Sequence, residues 1–400
     1  MTPPYRTVTA RSLPATSALV LSLAALAALC VAQRIPMADT LVYRAEGAAV
    51  ANGTDIYGFT VTDWRLPATY PPFAAILFVP TTWLPVAALK VVFVAGNALL
   101  LALLVRLSCR FAGLPASAPA VLAATAVGLW LEPVFQTVVF GQINLALVCL
   151  VLWDLSRPDD AVGKGFALGI AAGVKLTPVV FIVLLLITGR RRGGLTALAS
   201  LAGTVLLGAL VLPEASADFW TRRIFETDRV GRAWIIENQS LQGLFARVLH
   251  RAEPGAVWAA AALLTAVAAL WTARRAPDRW AVLAVAYAAL LVSPISWSHH
   301  WVWCVPLLAV LIAEGRRGTA ALMAVVFLAR TMWLVPHAGD LDLRLHWWQQ
   351  PLASPYAPLG LVVLGIAALR ARAGGDGGLP AQRGAGAAGS AADTGAGAVR

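Results

Sequence analysis

Residues 164–192 read KGFALGIAAGVKLTPVVFIVLLLITGRRR. The apolar stretch 165–188 lies between Lys164 and the triplet Arg190 to Arg192, and its middle carries Lys175 and Pro178. As one crossing, it would put the triplet on the far side of a bilayer. As two short arms, it keeps both basic ends on the same side. Proline cannot continue a helix without losing a backbone bond and clashing with the previous turn, so the stretch predicts a break at GVKLTP. We read a central hairpin whose tip lies within the membrane or near its outer face. Such half-helices persist only where protein or water satisfies their loose backbone groups.

The surrounding chain supports a membrane reading. Charged residues make up 13% of its 400 residues and hydrophobic ones 59%, and the mean hydropathy is +0.75. An ordinary soluble domain carries roughly 25% charge. Spanning hydrocarbon takes about 20 apolar helical residues. Long Ala/Leu/Val runs, rather than short alternating segments, exclude an outer-membrane barrel. The expected fold is an all-α polytopic bundle of about ten crossings plus the broken hairpin. A domain over 1–370 would carry main outer loops at 34–72 and 213–255, followed by a disordered cytoplasmic Gly/Ala-rich tail over 371–400.

Charge sets the orientation. The formal charge of +11 comes from short arginine clusters between apolar runs: Arg106 and Arg110, Arg190 to Arg192, Arg274, Arg275 and Arg279, Arg316 and Arg317, Arg370 and Arg372. This is the positive-inside pattern, with no basic stripe interleaved with stacking aromatics, so nucleic acid is not an expected partner. The four cysteines stand apart, without metal-ligand spacing. With the N-terminus inside, all five histidines and most acids fall on the outer side. The chemistry is therefore expected on the outer face of the cell membrane.

Two outer segments concentrate that chemistry. Residues 39–51 predict a short amphipathic helix in which Asp39, Tyr43 and Glu46 share a face. Asn52-Gly53 ends it, and Tyr70-Pro71-Pro72-Phe73 turns the chain back toward the membrane. The second segment is SWSHHWVW, residues 296–303, with His299 and His300 among three tryptophans. An interfacial aromatic belt accounts for the tryptophans; it does not account for two adjacent imidazoles. Lys175 and Arg330 lie within apolar segments, where a central charge costs about 2.5–3.5 kcal/mol on insertion scales and calls for a partner. Gln142 and Asn144 stand one turn from the outer surface, suited to sugar hydroxyls or to tying neighbouring helices. Asn238 and Gln239 suit an acceptor or a helix cap.

Read in order, ADTLVYRAEGAAVANGTDIY (38–57), YPPF (70–73), FGQINLALVCLVLWDL (140–155), GIAAGVKLTP (169–178), NQSLQGL (238–244) and SPISWSHHWVW (293–303) resemble glycosyltransferase family 87. These are polyprenyl-phosphate-mannose-dependent α-mannosyltransferases of actinobacteria, with the GT-C fold and an outer-face site. The resemblance implies an inverting transfer of mannose from a polyprenyl-phosphate donor to a lipid-linked glycan such as a phosphatidylinositol mannoside. Asp39 matches the family's general base. Substrate contacts are expected from His299, His300, Tyr43, Arg44, Tyr70, Gln142, Asn144, Lys175, Asn238, Gln239 and Arg330. No cofactor is demanded, although Asp39 with a histidine leaves a divalent ion open. The alternatives are transfer of another lipid-linked sugar such as arabinose, or a secondary transporter built on the broken segment.

Overall fold

A computed structural model of the chain describes residues 6–376. Eighteen α-helices run in order: α1 (Arg6–Ala32), α2 (Ala38–Asn52), α3 (Pro72–Phe78), α4 (Val86–Ala112), α5 (Ala118–Gly128), α6 (Glu132–Phe140), α7 (Asn144–Leu155), α8 (Phe166–Val174), α9 (Val179–Ile187), α10 (Arg191–Val211), α11 (Pro213–Thr221), α12 (Leu241–Val248), α13 (Ala256–Ala273), α14 (Asp278–Val292), α15 (Cys304–Ala313), α16 (Arg317–Ala329), α17 (Gln350–Ala353) and α18 (Tyr356–Asp376). A single small hairpin, β1 (Thr60–Val61) and β2 (Leu66–Pro67), is the sheet among the described residues. Six helical segments are long and apolar enough to cross a membrane, and a seventh results if the bent pair α5–α6 counts as one. The expected count of about ten crossings is thus not confirmed, because several apolar helices are too short to span alone. Residues 371–376 of the expected tail continue α18; residues 377–400 lie outside the described residues.

The central hairpin is settled by packing. Glycines at 165, just before α8, and at 169 and 173 within it stand four residues apart, so the α8 backbone lies directly on α10. A Cβ on Gly165 would sit 2.0 Å from the Gly193 carbonyl oxygen, one on Gly169 2.4 Å from that of Ala197, and one on Gly173 2.1 Å from the Thr204 hydroxyl. The partner numbers rise together, so α8 and α10 run in the same direction. Small residues at this spacing are how helices approach closely where burial from water supplies no drive. Lys175 is extended (φ −147°, ψ 130°), and Pro178 precedes α9, which returns so that Leu186 packs on Gly194.

Lys164 and the arginine triplet therefore share one end of the bundle. Asp154 accepts bonds from the Gly165 and Leu168 amides, each at 2.9 Å, satisfying donors that the first turn of α8 leaves open. The Lys164 ammonium caps the end of α7 through the carbonyls of Asp154, Leu155 and Arg157. Arg190 pairs with Asp159 at 3.2 Å and also with Asp278. At the opposite end lie the hairpin tip and the start of α7.

A break at Gly141 separates α6 from α7, and α5 and α6 meet at 76°. Gly141 causes the first break. Its φ is +70°, and a Cβ there would lie 1.8 Å from the Thr40 hydroxyl, which donates to the Gly141 carbonyl at 3.2 Å. Only glycine meets both demands without strain.

Two outcomes test this architecture. In a cysteine-free background, Val162→Cys and Arg192→Cys should label with an impermeant maleimide from one side of the membrane, and Leu341→Cys only from the other. Labelling of positions 162 and 192 from opposite sides would replace the hairpin by a single crossing. Gly141→Ala should lower the thermal midpoint in detergent, with a loss of at least about 1–3 kcal/mol for a residue forced into that backbone region.

Candidate active site

The site forms where α2, the start of α7, the hairpin tip and the turn before α15 meet. Asp39 stands in the first turn of α2, partly accessible. Next to it, Tyr43 is fully buried and is fixed by a three-cornered hydrogen-bond array. Its hydroxyl lies 3.0 Å from that of Tyr70, and both donate to Gln142 Oε1, at 2.9 and 3.1 Å. The carboxamide so oriented directs its other end to the Asp39 carboxylate. The Pro-Pro corner sets Tyr70, and Arg229 holds the strand leading to it by donating to the Ala68 carbonyl at 2.8 Å and that of Thr69 at 3.4 Å.

Lys175 is the hub. Its ammonium lies 3.2 Å from Asn144 Oδ1 and 3.1 Å from His300 Nε2, and 5.4 Å from the centre of the Tyr70 ring. It also acts through Coulomb attraction on Asp39. Asn144 continues the network: its amide nitrogen is 2.9 Å from His299 Nδ1 and 3.0 Å from the His299 carbonyl. Thr137 donates to that carbonyl as well. The two imidazole rings stand perpendicular, 4.7 Å apart. Asp39, Tyr43, Tyr70, Gln142, Asn144, Lys175, His299 and His300 thus belong to one connected polar focus.

Burial pushes the Asp39 carboxyl up to about 6, against the opposing effects of the Gln142 hydrogen bond and the Lys175 charge. Desolvation disfavours the anion and the two polar partners only partly restore it. Glu46, two turns further along the same face, is buried and held well above the usual carboxylate range for the same reason.

The remaining expected contacts lie elsewhere. Arg44 donates to the carbonyls of Thr81 and Leu84, bracing α2 against the turn after α3. The Asn238 amide bonds the carbonyls of Ala233 and Pro294 and accepts from the Ser240 and Ser296 amides. That of Gln239 bonds the carbonyls of Ile236 and Ala353 and the Tyr356 amide. Both hold backbone, and Asn238 holds the start of the histidine turn. Arg330 stacks on Phe135 at 3.8 Å and donates to the Trp130 carbonyl. It belongs to a separate cluster in which Glu132 accepts from the Tyr356 hydroxyl at 2.7 Å.

Sequence reasoning did not single out Arg229, Thr40 or Thr137. Their roles are bonds to carbonyls of remote residues, for which a charged loop residue or a helical threonine leaves no local mark. Among the described residues no three His, Cys, Asp or Glu side chains gather to hold a metal. Lys175 further sets an ammonium beside His300 and toward Asp39. These residues do not fit a bound divalent ion.

From this focus a narrow, partly open groove with a cavity volume of about 60 Å³ leads away. Asn144, Lys175 and His300 form its polar end; Leu147, Val148, Val151, Phe181, Leu290 and Trp303 supply apolar walls.

The polyprenol-phosphate-mannose-dependent alpha-(1-2)-phosphatidylinositol mannoside mannosyltransferase of Mycobacterium tuberculosis is 34% identical over 83% of this chain and 84% of its own length. The protein of the same description from Mycolicibacterium smegmatis is 34% identical over 82% and 83%. A crystal structure of ArnT from Cupriavidus metallidurans bound to undecaprenyl phosphate overlaps 90% of this chain and 78% of its own, at 20% identity and a TM-score of 0.42, a likeness too distant to carry weight. The family model described as glycosyltransferase family 87 matches residues 68–294, and with relatives this similar over most of its length, the chain belongs to glycosyltransferase family 87.

Proposed function

We propose that this glycosyltransferase moves mannose from a polyprenyl-phosphate donor to a hydroxyl of a lipid-linked glycan, such as a phosphatidylinositol mannoside, with inversion to an α linkage. The observation that carries the reading is the single focus in which the Lys175 ammonium lies against the His300 imidazole and within Coulomb reach of the Asp39 carboxylate, at the head of an apolar groove. On this reading the six long helices and the shorter apolar ones make up a GT-C-type bundle of about ten crossings. A single catalytic domain then runs to about residue 370, with its site on the non-cytoplasmic side. The arginine-rich end of the hairpin, where Lys164 and Arg190 meet, supports that orientation by the positive-inside rule.

Each group has a role. The prenyl chain enters the groove and its phosphate sits at the polar end, against Lys175 and His300. Asn144 and His299 hold that end in place. The acceptor hydroxyl attacks the anomeric carbon from the face opposite the phosphate, as Asp39 takes its proton. The anomeric C–O bond breaks with its electron pair going to the lipid phosphate, whose growing charge Lys175 stabilises in a site screened from water. One displacement inverts the centre, so a second carboxylate nucleophile is not required. Gln142, fixed by Tyr43 and Tyr70, aims the base. A base whose pKa lies near the working pH combines availability with proton affinity, and such a group contributes roughly 10²–10⁴ in rate.

The pH dependence follows from the sign of the shift. Asp39 works only as the anion, and its raised pKa of about 6 means that it protonates well above the ordinary aspartate range. The acceptor-saturated rate should rise with pH through about 6 and level off above it. Asp39→Asn should abolish transfer in purified membranes at unchanged protein level. Retained turnover would remove Asp39 as the base, and a limb centred near 4 would remove the burial argument.

Lys175→Met and His300→Ala should each lower donor-dependent turnover by at least tenfold, and His299→Ala by less, since His299 acts through Asn144. Mass spectrometry of products formed from short-chain polyprenyl-phosphate mannose and a defined glycolipid measures this. Rates within about twofold for all three variants would sink the assigned phosphate site.

A further inference from the structure

The small hairpin of the first outer loop is not used by the groove or by the base. It packs on α2, and its tip, Thr62 to Arg65, presents Asp63, Trp64 and Arg65 to the outside. Trp64 is 60% exposed. The tip is held by two non-glycine residues in the left-handed region, Thr62 at φ 67° and Arg65 at φ 53°, an uncommon conformation and a rarer one for a β-branched residue. A loop needing only to turn has glycine and asparagine for the purpose; this one instead places an indole between an acid and a base.

The indole is the outer member of an aromatic line. Its ring lies 6.2 Å from that of Phe140, and Phe140 lies 5.8 Å from the His299 imidazole. Phe140 ends α6 immediately before Gly141, whose carbonyl is bonded by Thr40, the residue following Asp39. The line thus runs from the exposed rim to His299, along a side of the focus distinct from the apolar groove, whose walls come from α7, α9 and α14.

We propose that Trp64 and Phe140 form a stacking platform for a sugar ring of the acceptor, with Asp63 and Arg65 available to its hydroxyls. This rests on the glycosyl-transfer reading above and adds to it the acceptor subsite. The occupant follows from chemistry and position. The C–H face of a pyranose is an apolar surface of about the size of an indole, and its rim of hydroxyls matches a flanking carboxylate and guanidinium. Trp and Phe supply rigid contact area at small entropic cost. A ring stacked there places the next sugar's hydroxyl toward Asp39, leaving the groove to the donor.

The test uses full-length protein in lipid nanodiscs and two amphiphiles of equal tail: octyl α-mannopyranoside and tetraethylene glycol monooctyl ether. Trp64→Ala should weaken the mannoside about three- to tenfold, the range of an aromatic contact, and leave the ether unchanged. Trp64→Phe should stay within about twofold of wild type. In the transfer assay, Trp64→Ala should raise the acceptor KM more than it lowers kcat, with the donor KM unmoved. Mannoside binding unaltered by Trp64→Ala would make the indole a membrane-interface anchor only and overturn the platform. Equal weakening of both amphiphiles, a shift in donor KM alone, or no saturable mannoside binding by wild type would overturn it too. If wild type binds the mannoside through Trp64 yet transfers no mannose from the lipid donor, the donor assignment fails while the sugar platform stands.

Discussion

The Lys175 ammonium is the constraint on which the site depends. It sits at the tip of a two-armed hairpin and touches Asn144 and His300 while drawing on Asp39. A cation in an apolar segment is costly unless its surroundings compensate. Here the compensation comes from groups on three other elements. The charge that would otherwise oppose insertion therefore gathers α2, α7, the hairpin and the histidine turn into one place. The same charge is what a departing phosphate requires.

Everything around Lys175 keeps it at that depth. The glycines of α8 let the first arm lie on α10 with no side chains between. Asp154 and Lys164 close the opposite end with bonds to helix termini, and Arg190 pairs there with Asp159 and Asp278. Neither arm is long enough to be stable alone; each is held by α10. On the other flank Gly141 allows α6 to stop where α7 begins, which brings Gln142 against the tyrosines and Asn144 against the histidine backbone. Four glycines thus set the geometry of three polar side chains, Lys175, Gln142 and Asn144.

The loops around this focus act as its frame. Arg229 reaches back across about 160 residues to the strand before Tyr70. Asn238 ties its own loop to the backbone at Pro294 and Ser296, just ahead of the imidazoles. Arg44 braces the helix that carries Asp39. Each of these three had equal claim, by residue type, to be a ligand for substrate. Each is spent on carbonyl oxygens, the pattern of buried polar groups that position others.

Much was legible in the linear order of residues, because the forces involved are local or cumulative. Apolar run lengths mark helix and bilayer one segment at a time, arginine spacing sets the expected orientation, and Pro178 three residues after Lys175 marks the break in the central hairpin. The family motifs carried Asp39, His299 and His300 together. What the order of residues does not encode is which distant atoms meet. The direction of α9, the break at Gly141, the separation of Arg330 from the base and the alignment of Trp64, Phe140 and His299 all depend on close approach between segments up to 200 residues apart. Steric contact and hydrogen bonds act over a few ångströms in space, so only the folded chain decides them.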